Sequence, residues 1–273
     1  MSIVDIERLC VILRDAARAE ILPRFRRLDA SQVKVKTSAI DLVTEADTEA
    51  ERYIKAEVAK LAPGALFVGE ESVAAHPPLL EALASADLAV VVDPVDGTAN
   101  FAAGLPLFAV MAAVVSKGET VAGIIYDPMG DDWVLAEKGS GAWLRRPDGA
   151  SVRLHVADPL PLAEMVGTAS VAFMPAERRA EILSNFAKVR VVSNYRVAGH
   201  EYRAFVSGHT QFCAYNKLMP WDHLPGVLIA QEAGAYAARL DGSPYRPEHV
   251  SGGLIVATSK DAWQELRREV FTY

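Results

Sequence analysis

Hydrophobic positions recur along this chain of 273 residues with the spacing of helices in some stretches and of strands in others. Apolar residues return at helical spacing across 3–22, which predicts a first helix with Ser2 as its N-cap and Pro23 at its end. A second helix is predicted over 44–61. The chain therefore opens with two amphipathic helices.

Short apolar runs on both sides of residue 100 predict strands. Residues 66–68 form one run, and 90–92 form a β-branched run typical of a strand buried on both faces. Residues 108–115, 120–126 and 132–136 follow, separated by turns that contain glycine. These three runs predict an antiparallel meander.

Beyond about residue 155, helical and strand patterns alternate. Helices are predicted near 176–187, 199–207 and 222–234, and strands near 165–168, 189–192, 211–215, 236–239 and 254–257. The sequence contains no internal repeat or flexible linker. We therefore expect a single unit over 1–273, with an antiparallel-sheet half at 1–150 and an α/β half at 151–273, of the α+β or α/β class.

Composition and charge exclude several classes of function. Hydrophobic residues make up 51% and charged residues 23%, as in ordinary soluble proteins. The formal charge of −7 argues against nucleic acid or an anionic membrane as the main partner. The longest apolar run, 107–115, is too short to span a bilayer, and the first ten residues lack the features of a signal peptide. With two distant cysteines, the sequence predicts a reduced cytoplasmic protein.

Two aspartates leave the predicted strand at 90–92 almost together. Asp93 and Asp96 flank Pro94, which forces a turn, and Gly97 allows backbone amides to approach a ligand. Like charges this close repel each other unless a cation lies between them, and hard oxygen ligands favour Mg²⁺, Mn²⁺ or Ca²⁺. The alternative is a plain turn in which both carboxylates accept backbone N–H bonds.

Other acidic residues also lie at the ends of predicted elements. Glu70 and Glu71 follow a strand and Gly69, and Asp222 stands at the start of a helix, where it could be an N-cap. Asp47 fits a capping box with Thr44. Because Glu70-Glu71, Asp93-Asp96 and Asp222 all end buried elements, we favour a shared divalent-metal site over independent caps and turns.

Four segments resemble the signatures of one family. They are LVTEAD at 42–47, GEES at 69–72, DPVDGTANF at 93–101 and WDHLPG with EAG within 221–234. In this order and spacing they resemble the inositol monophosphatases, Mg²⁺-dependent and lithium-sensitive phosphomonoesterases grouped with fructose-1,6-bisphosphatases and bisphosphate nucleotidases. The resemblance implies an αβαβα sandwich, the sugar-phosphatase fold, and a homodimer.

The resemblance also implies metal ligands. Glu70, Asp93 and the main-chain oxygen of Val95 would hold a first ion, and Asp93 would bridge to a second ion bound by Asp96 and Asp222. A third, weaker ion is implied near Glu70. The ions would be Mg²⁺, with Mn²⁺ as a substitute and Ca²⁺ or Li⁺ as inhibitors.

Catalytic and substrate-binding roles follow from the same resemblance. Glu70 and Thr98 would orient a metal-activated water, and Asp47 would hydrogen-bond Thr98 besides capping its helix. The amides of Gly97 and Thr98 would take phosphate oxygens. Asp222 would lie beside the leaving group.

Two departures from the family pattern bear on the substrate. Gly199-His200-Glu201 stands where we place the family's Gly-Ser/Thr-Ala, so Gly199 and His200 are predicted to face the substrate. Tyr215 stands where the family carries an acidic residue used on inositol hydroxyls. These changes weigh against myo-inositol phosphate itself, although Tyr215 can still hydrogen-bond a polyol.

The leading hypothesis is Mg²⁺-dependent hydrolysis of a small phosphomonoester, inositol-1-phosphate or a related polyol phosphate. The alternatives within the same chemistry are histidinol phosphate, fructose-1,6-bisphosphate and 3′-phosphoadenosine 5′-phosphate. An alternative of another class is a metal-bound regulatory scaffold without turnover.

Overall fold

The computed structural model describes residues 4–29, 32–35 and 42–272, so the predicted cap Ser2 lies outside it. Helix α1 (Ile6–Ala16) begins after Asp5, whose carboxylate accepts a hydrogen bond of 3.0 Å from the Arg8 amide. The helix continues through a π-helical turn (Ala17–Ile21) into a short 3-10 turn (Leu22–Arg24), and the helical stretch ends there, at Pro23, as predicted.

The first half of the chain forms the larger sheet. After α1 its elements are β1 (Val33–Val35), β2 (Leu42–Thr44), α2 (Glu45–Leu61), β3 (Leu66–Gly69), α3 (Glu70–Ala75), α4 (Pro78–Leu83), β4 (Leu88–Asp96), α5 (Thr98–Ala102), β5 (Ala109–Ser116), β6 (Glu119–Asp127), β7 (Asp132–Glu137), β8 (Gly141–Arg145) and β9 (Ser151–Arg153). Strands β3 to β9 lie side by side in chain order; β3 is parallel to β4, and the other neighbours are antiparallel. The predicted meander is confirmed, and the sheet runs slightly past residue 150 because β9 pairs with β8.

The second half forms a smaller mixed sheet. Its elements are β10 (Val166–Ser170), α6 (Ala176–Asn185), β11 (Val191–Ser193), α7 (Ala198–Val206), β12 (Phe212–Tyr215), α8 (Pro220–Glu232), β13 (Tyr236–Arg239), β14 (Leu254–Ala257) and α9 (Lys260–Glu269). The strand order is β11-β10-β12-β14-β13, with the first three strands parallel and β14 antiparallel to both of its neighbours. The predicted alternation of helices and strands is confirmed.

Three apolar clusters define the layers. Helices α1 and α2 pack on one face of the larger sheet, where Leu13 and Ile54 are fully buried. Helices α7 and α8 lie between the two sheets, with Phe205 and Ile229 in a common core. Helices α6 and α9 cover the far face of the smaller sheet. Burial of each such side chain contributes about 1.5–3 kcal/mol to the stability of the fold. The order of these layers of helices and sheets is that of the predicted αβαβα sandwich.

The end of β4 departs from regular pairing. Asp93 pairs with Met111 and Asp96 with Ala109, so β4 carries one residue more than β5 between these pairs. A β-bulge of this kind suits Pro94, which has no N–H to contribute to the ladder. The bulge turns the β4 carboxylates out of the sheet and toward the second half of the chain.

None of the helices within the described ranges has the length and apolar character needed to cross a membrane.

Candidate active site

A cavity of about 470 Å³ opens between the two sheets, where the carboxyl end of β4 faces those of β10 and β12. The acidic residues Glu70, Asp93, Asp96 and Asp222 all line it, although they come from α3, β4 and α8. The predicted site residues Val95, Gly97, Thr98 and Tyr215 also line the cavity. The structure thus brings together residues that are up to 152 positions apart in the sequence, from Glu70 to Asp222.

The carboxylates of this cavity repel one another. Asp93 is 2% and Asp96 7% exposed. Burial, followed by the charges of Glu70, Asp96 and Asp222, raises the pKa of Asp93 well above its ordinary range. Burial and the charges of Asp96 and Glu70 raise the pKa of Asp222 to about 8. So much buried negative charge fits a divalent cation bound by hard oxygen ligands.

The carboxylates share a cavity but do not form a closed coordination shell. Within the part of the chain that the structure describes, no three acidic, histidine or cysteine side chains have the tight spacing of a formed metal site. The reason lies partly in Asp96, whose two oxygens accept hydrogen bonds from the Ala198 amide at 3.1 Å and the Gly199 amide at 2.5 Å. Each Asp96 oxygen keeps a second lone pair, which remains available to a cation.

Gly199 contacts this carboxylate and does not line the cavity. A Cβ at Gly199 would lie 2.8 Å from the Cβ of Ala109 and 2.9 Å from Oδ2 of Asp96. Only glycine allows α7 to approach β4 this closely. The geometry therefore gives Gly199 a positioning role, in place of the predicted contact with substrate.

The predicted partnership between Asp47 and Thr98 is present. The Thr98 hydroxyl lies 2.8 Å from Oδ1 of Asp47 and 3.0 Å from the carbonyl oxygen of Val95, and it donates to one of them at a time. Oδ2 of Asp47 accepts the Thr44 amide at 2.9 Å, so Asp47 is a helix cap and a partner of Thr98 together. Burial, the largest of several effects, raises the pKa of Asp47 to about 6.

Glu51 is a site residue that sequence reasoning missed. Its buried carboxylate accepts hydrogen bonds from the Glu71 amide (2.7 Å), the Ser72 amide (2.8 Å) and the Ser72 hydroxyl (2.6 Å). These bonds anchor the first turn of α3, in which Glu70 stands. A Cβ at Gly69 would lie 2.3 Å from this carboxylate, which explains the glycine. The available signal was the spacing of Glu51 four residues after Asp47, on the same face of α2.

His200 does not line the cavity, contrary to its predicted contact with substrate. Its Nε2 atom lies 3.1 Å from the carbonyl oxygen of Phe108 and 4.0 Å from a carboxylate oxygen of Asp127. Burial lowers the pKa of this imidazole. Helix α7 begins at Ala198, so His200 already stands in its first turn and is directed at the larger sheet.

The residues that lead into α7, up to and including its first residue, lie at the cavity wall. Arg196, Val197 and Ala198 line the cavity, and Arg196 has a φ of 59°, in the region that favours glycine. The cavity wall at this point is thus formed by 196–198 and by Glu201, and the placement of the family's Gly-Ser/Thr-Ala at 199–201 stays a prediction.

An acidic group does lie beside Tyr215, but it comes from α7. Glu201 is 2% exposed, lines the cavity and accepts the Tyr195 amide at 2.9 Å. Burial raises its pKa to about 7. The buried Tyr215 hydroxyl, next to this carboxylate, has no hydrogen-bond partner of good geometry within the described ranges. Tyr215 and Glu201 thus form a buried polar pair in the cavity wall.

The sequence profile of the inositol monophosphatase family matches residues 6–271. The chain is 33% identical to the inositol-1-monophosphatase of Caulobacter vibrioides over 253 residues, covering 91% of this chain and 93% of that protein. It is 30% identical to the fructose-1,6-bisphosphatase/inositol-1-monophosphatase of Thermotoga maritima over 212 residues, 77% and 76% of the two chains. It is also 30% identical to the Nus factor SuhB of Vibrio cholerae over 229 residues, 80% and 78% of the two chains.

Solved structures share the fold. The IMPase TM1415 of Thermotoga maritima superposes with a TM-score of 0.80 at 26% identity, covering 97% of this chain and 96% of that one. The extragenic suppressor protein suhB of Bartonella henselae gives a TM-score of 0.80 at 27% identity, covering 98% of each chain. With its fold and nearly its whole length in agreement, this chain belongs to the inositol monophosphatase family.

Proposed function

We propose that this chain hydrolyses a small phosphomonoester with the help of divalent metal ions. The single observation that carries the proposal is the convergence of Glu70, Asp93, Asp96 and Asp222 on one cavity that also contains Thr98. The relatives named above as inositol-1-monophosphatases support the same reaction.

The metal ligands we propose are Glu70, Asp93, the carbonyl oxygen of Val95, Asp96 and Asp222. This all-oxygen donor set suits two or three Mg²⁺ ions, with Mn²⁺ as a substitute and Ca²⁺ or Li⁺ as inhibitors. Bound there, the ions would offset the charge of the phosphoryl group and lower the pKa of a water molecule.

The protein's own groups supply orientation. Asp47 accepts a hydrogen bond from the Thr98 hydroxyl. The lone pairs of that hydroxyl are then left to accept a hydrogen bond from an attacking water. Glu70, anchored through Glu51, would orient the same water. The amides of Gly97 and Thr98, at the turn into α5, would hold phosphate oxygens; Gly97 has a φ of 90°, which lets the backbone turn there.

The favoured substrate is inositol-1-phosphate or a related polyol phosphate, whose hydroxyls would meet Tyr215 and Glu201. Fructose-1,6-bisphosphate is an alternative, supported by the name of the Thermotoga maritima relative. Histidinol phosphate and 3′-phosphoadenosine 5′-phosphate are further alternatives with the same chemistry. Because Tyr215 stands where the family carries an acidic residue, these substrates remain alternatives to inositol-1-phosphate.

A regulatory role without turnover is the alternative of another class, and the name of the Vibrio cholerae relative favours it. The full set of metal ligands around one cavity favours an enzyme. We further propose a homodimer without nucleic-acid or membrane partners. Cys10 and Cys213 are buried and unpaired, which supports a reducing compartment such as the cytoplasm.

Phosphate release from these substrates, with and without Mg²⁺, tests the proposal. We expect Mg²⁺-dependent release by the wild type that is lost in Asp96→Asn and kept in Asp148→Asn, a matched change in an exposed turn. Absence of release from every substrate at saturating Mg²⁺ would reject the enzyme and favour the scaffold. Much faster hydrolysis of histidinol phosphate than of inositol phosphate would reject the favoured substrate.

A further inference from the structure

Two cations line the cavity, one of them in the segment that follows a strand of the smaller sheet and the other beside the turn at Gly97. Lys217 follows strand β12, and Arg196 precedes helix α7. The phosphate-binding turn at Gly97 and the metal-binding residues of β4 belong to the larger sheet. A phosphomonoester bound at that turn would leave its remaining groups to the other parts of the cavity wall, which include Lys217 and Arg196.

Lys217 is held at the cavity wall by an aromatic ring. Strands β10 and β12 are parallel and end together, with Ser170 opposite Tyr215, so the segments that follow them lie at one edge of the sheet. Phe173 comes from the first segment and Lys217 from the second, and the Lys217 ammonium lies 4.9 Å from the centre of the Phe173 ring. A cation–π contact of this kind keeps the ammonium near the cavity without neutralising it.

Arg196 has an unfavourable backbone conformation. Its φ of 59° is in the left-handed region, where a residue other than glycine, asparagine or aspartate costs about 1 kcal/mol. Its side chain is exposed at the cavity. Glycine or asparagine would suit this backbone better, and an arginine at such a position, exposed at the cavity, points to a use for its charge.

Both cations are available to a ligand. Among the described residues, no carboxylate lies within 4.0 Å of the Lys217 ammonium or the Arg196 guanidinium in an ion pair. The acid on the same wall, Glu201, is engaged by the Tyr195 amide. A neutral polyol would leave both cations without an anion in direct contact, with the charge of Asp222 acting on Lys217 from a greater distance.

We propose that Lys217 and Arg196 form a subsite for a second anionic group of the substrate, a phosphate or a carboxylate on the leaving-group side. This inference rests on the proposed phosphatase function and narrows its substrate class. The competing explanation is that Lys217 serves only to offset the nearby charge of Asp222.

Two matched pairs of compounds test the subsite. Fructose 1,6-bisphosphate is compared with fructose 1-phosphate, and 3-phosphoglycerate with glycerol 3-phosphate, so the first pair probes a phosphate and the second a carboxylate. In each pair the preference is the kcat/KM of the compound with the second anion divided by that of its neutral counterpart. We expect the wild type to show a preference of about tenfold or more in at least one pair, as for a hydrogen bond to a charged group.

The variants are Lys217→Met, which keeps most of the aliphatic stem, and Arg196→Asn, which suits the left-handed backbone. Each should lower the preference by about threefold or more, the double variant should bring it near one, and Lys217→Arg should retain most of it. Lys60→Met, on the exposed surface of α2, is the matched control and should leave the preference unchanged.

Calorimetric binding of the first pair, with Ca²⁺ in place of Mg²⁺, separates this proposal from the proposed function. No turnover of any compound, combined with tighter binding of the bisphosphate that depends on Lys217 and Arg196, would reject the phosphatase and retain the subsite. Equal binding and equal turnover within both pairs would overturn the subsite. An equal loss for both members of a pair in Lys217→Met would also overturn it, in favour of the Asp222 explanation.

Discussion

The Thr98 hydroxyl lies 2.8 Å from Oδ1 of Asp47, a contact that joins the first turn of helix α2 to the turn after strand β4. The other oxygen of Asp47 accepts the Thr44 amide, so the carboxylate is fixed by its own helix. A hydroxyl that donates to a fixed acceptor has a defined orientation for its lone pairs. The proposed attack by water depends on that orientation.

Thr98→Ala should lower kcat by about 10²-fold, the lower end of the range measured when one orienting hydrogen bond is removed from an active site. Thr98→Ser keeps the hydroxyl and should retain most of the activity. The measurement is kcat for phosphate release at saturating Mg²⁺ and substrate. Equal kcat for Thr98→Ala and the wild type would show that this hydroxyl does not orient the nucleophile.

Glu51→Gln should weaken Mg²⁺ binding by about tenfold. The variant keeps every metal ligand, but loss of the groups that hold ligands in position typically costs 10- to 100-fold in metal affinity. The variant loses a charged acceptor for the amides of Glu71 and Ser72. It should also destabilise the fold by about 1–3 kcal/mol.

Titration calorimetry with Mg²⁺ and urea unfolding measure these two effects of Glu51→Gln. The matched control is Glu49→Gln on the same helix, whose carboxylate pairs with Arg52 at the surface. We expect little change in either quantity for the control. Unchanged Mg²⁺ affinity in Glu51→Gln would remove Glu51 from the site.

Removal of metal should make stability depend on pH in a defined direction. The pKa of Asp96 is raised to about 7 and that of Asp222 to about 8, so the metal-free folded chain binds protons that the unfolded chain releases near its ordinary pKa of 3.8. Stability in EDTA should therefore be greatest at low pH and fall as the pH rises through 4 to 8. Each carboxyl accounts for at most about 1.4 kcal/mol per pH unit.

Urea unfolding in EDTA across this pH range, followed by the same series in Mg²⁺, measures the effect. Mg²⁺ should stabilise most at the upper end of the range, where the carboxylates are charged. Asp222→Asn should flatten the dependence seen in EDTA. Stability that rises steadily with pH in EDTA, equally in Asp222→Asn, would show that the carboxylates do not repel one another.

Tyr215→Phe should raise the KM for a polyol phosphate about threefold, while kcat stays near that of the wild type, because a hydrogen bond contributes about 0.5–1.5 kcal/mol. The variant removes a buried hydroxyl that has no hydrogen-bond partner of good geometry in the described structure. The melting temperature should therefore be equal or slightly higher. A lower melting temperature with unchanged KM would show that Tyr215 only supports the fold.

The acidic residues at the ends of strands could be predicted from the sequence because their positions carry local signals. Asp93 and Asp96 follow a β-branched run and flank a proline. This local pattern predicts that they lie at the end of a buried strand, without any knowledge of tertiary contacts. The antiparallel half and the α/β half could be predicted for the same reason, since each element has a clear period, whereas the layered αβαβα arrangement was implied by the family resemblance.

Glu51, Glu201 and His200 could not be placed in this way. A glutamate inside a helix looks solvated until its tertiary contacts are known, and Glu51 and Glu201 bind backbone amides of other segments. The position of His200 depends on where α7 begins. Its ring lies against Phe108 and Asp127, contacts that no local pattern around residue 200 indicates.

Anomalous diffraction from crystals soaked in Mn²⁺ tests most directly whether these carboxylates gather around cations. We predict strong manganese peaks in the cavity, with oxygens of Glu70, Asp93, Asp96 and Asp222 within about 2.0–2.4 Å of them, as for hard divalent ions in proteins. The Asp93→Asn variant should lose the peaks or show them weakened. Crystals saturated with Mn²⁺ that show no peak among these four side chains would contradict the account.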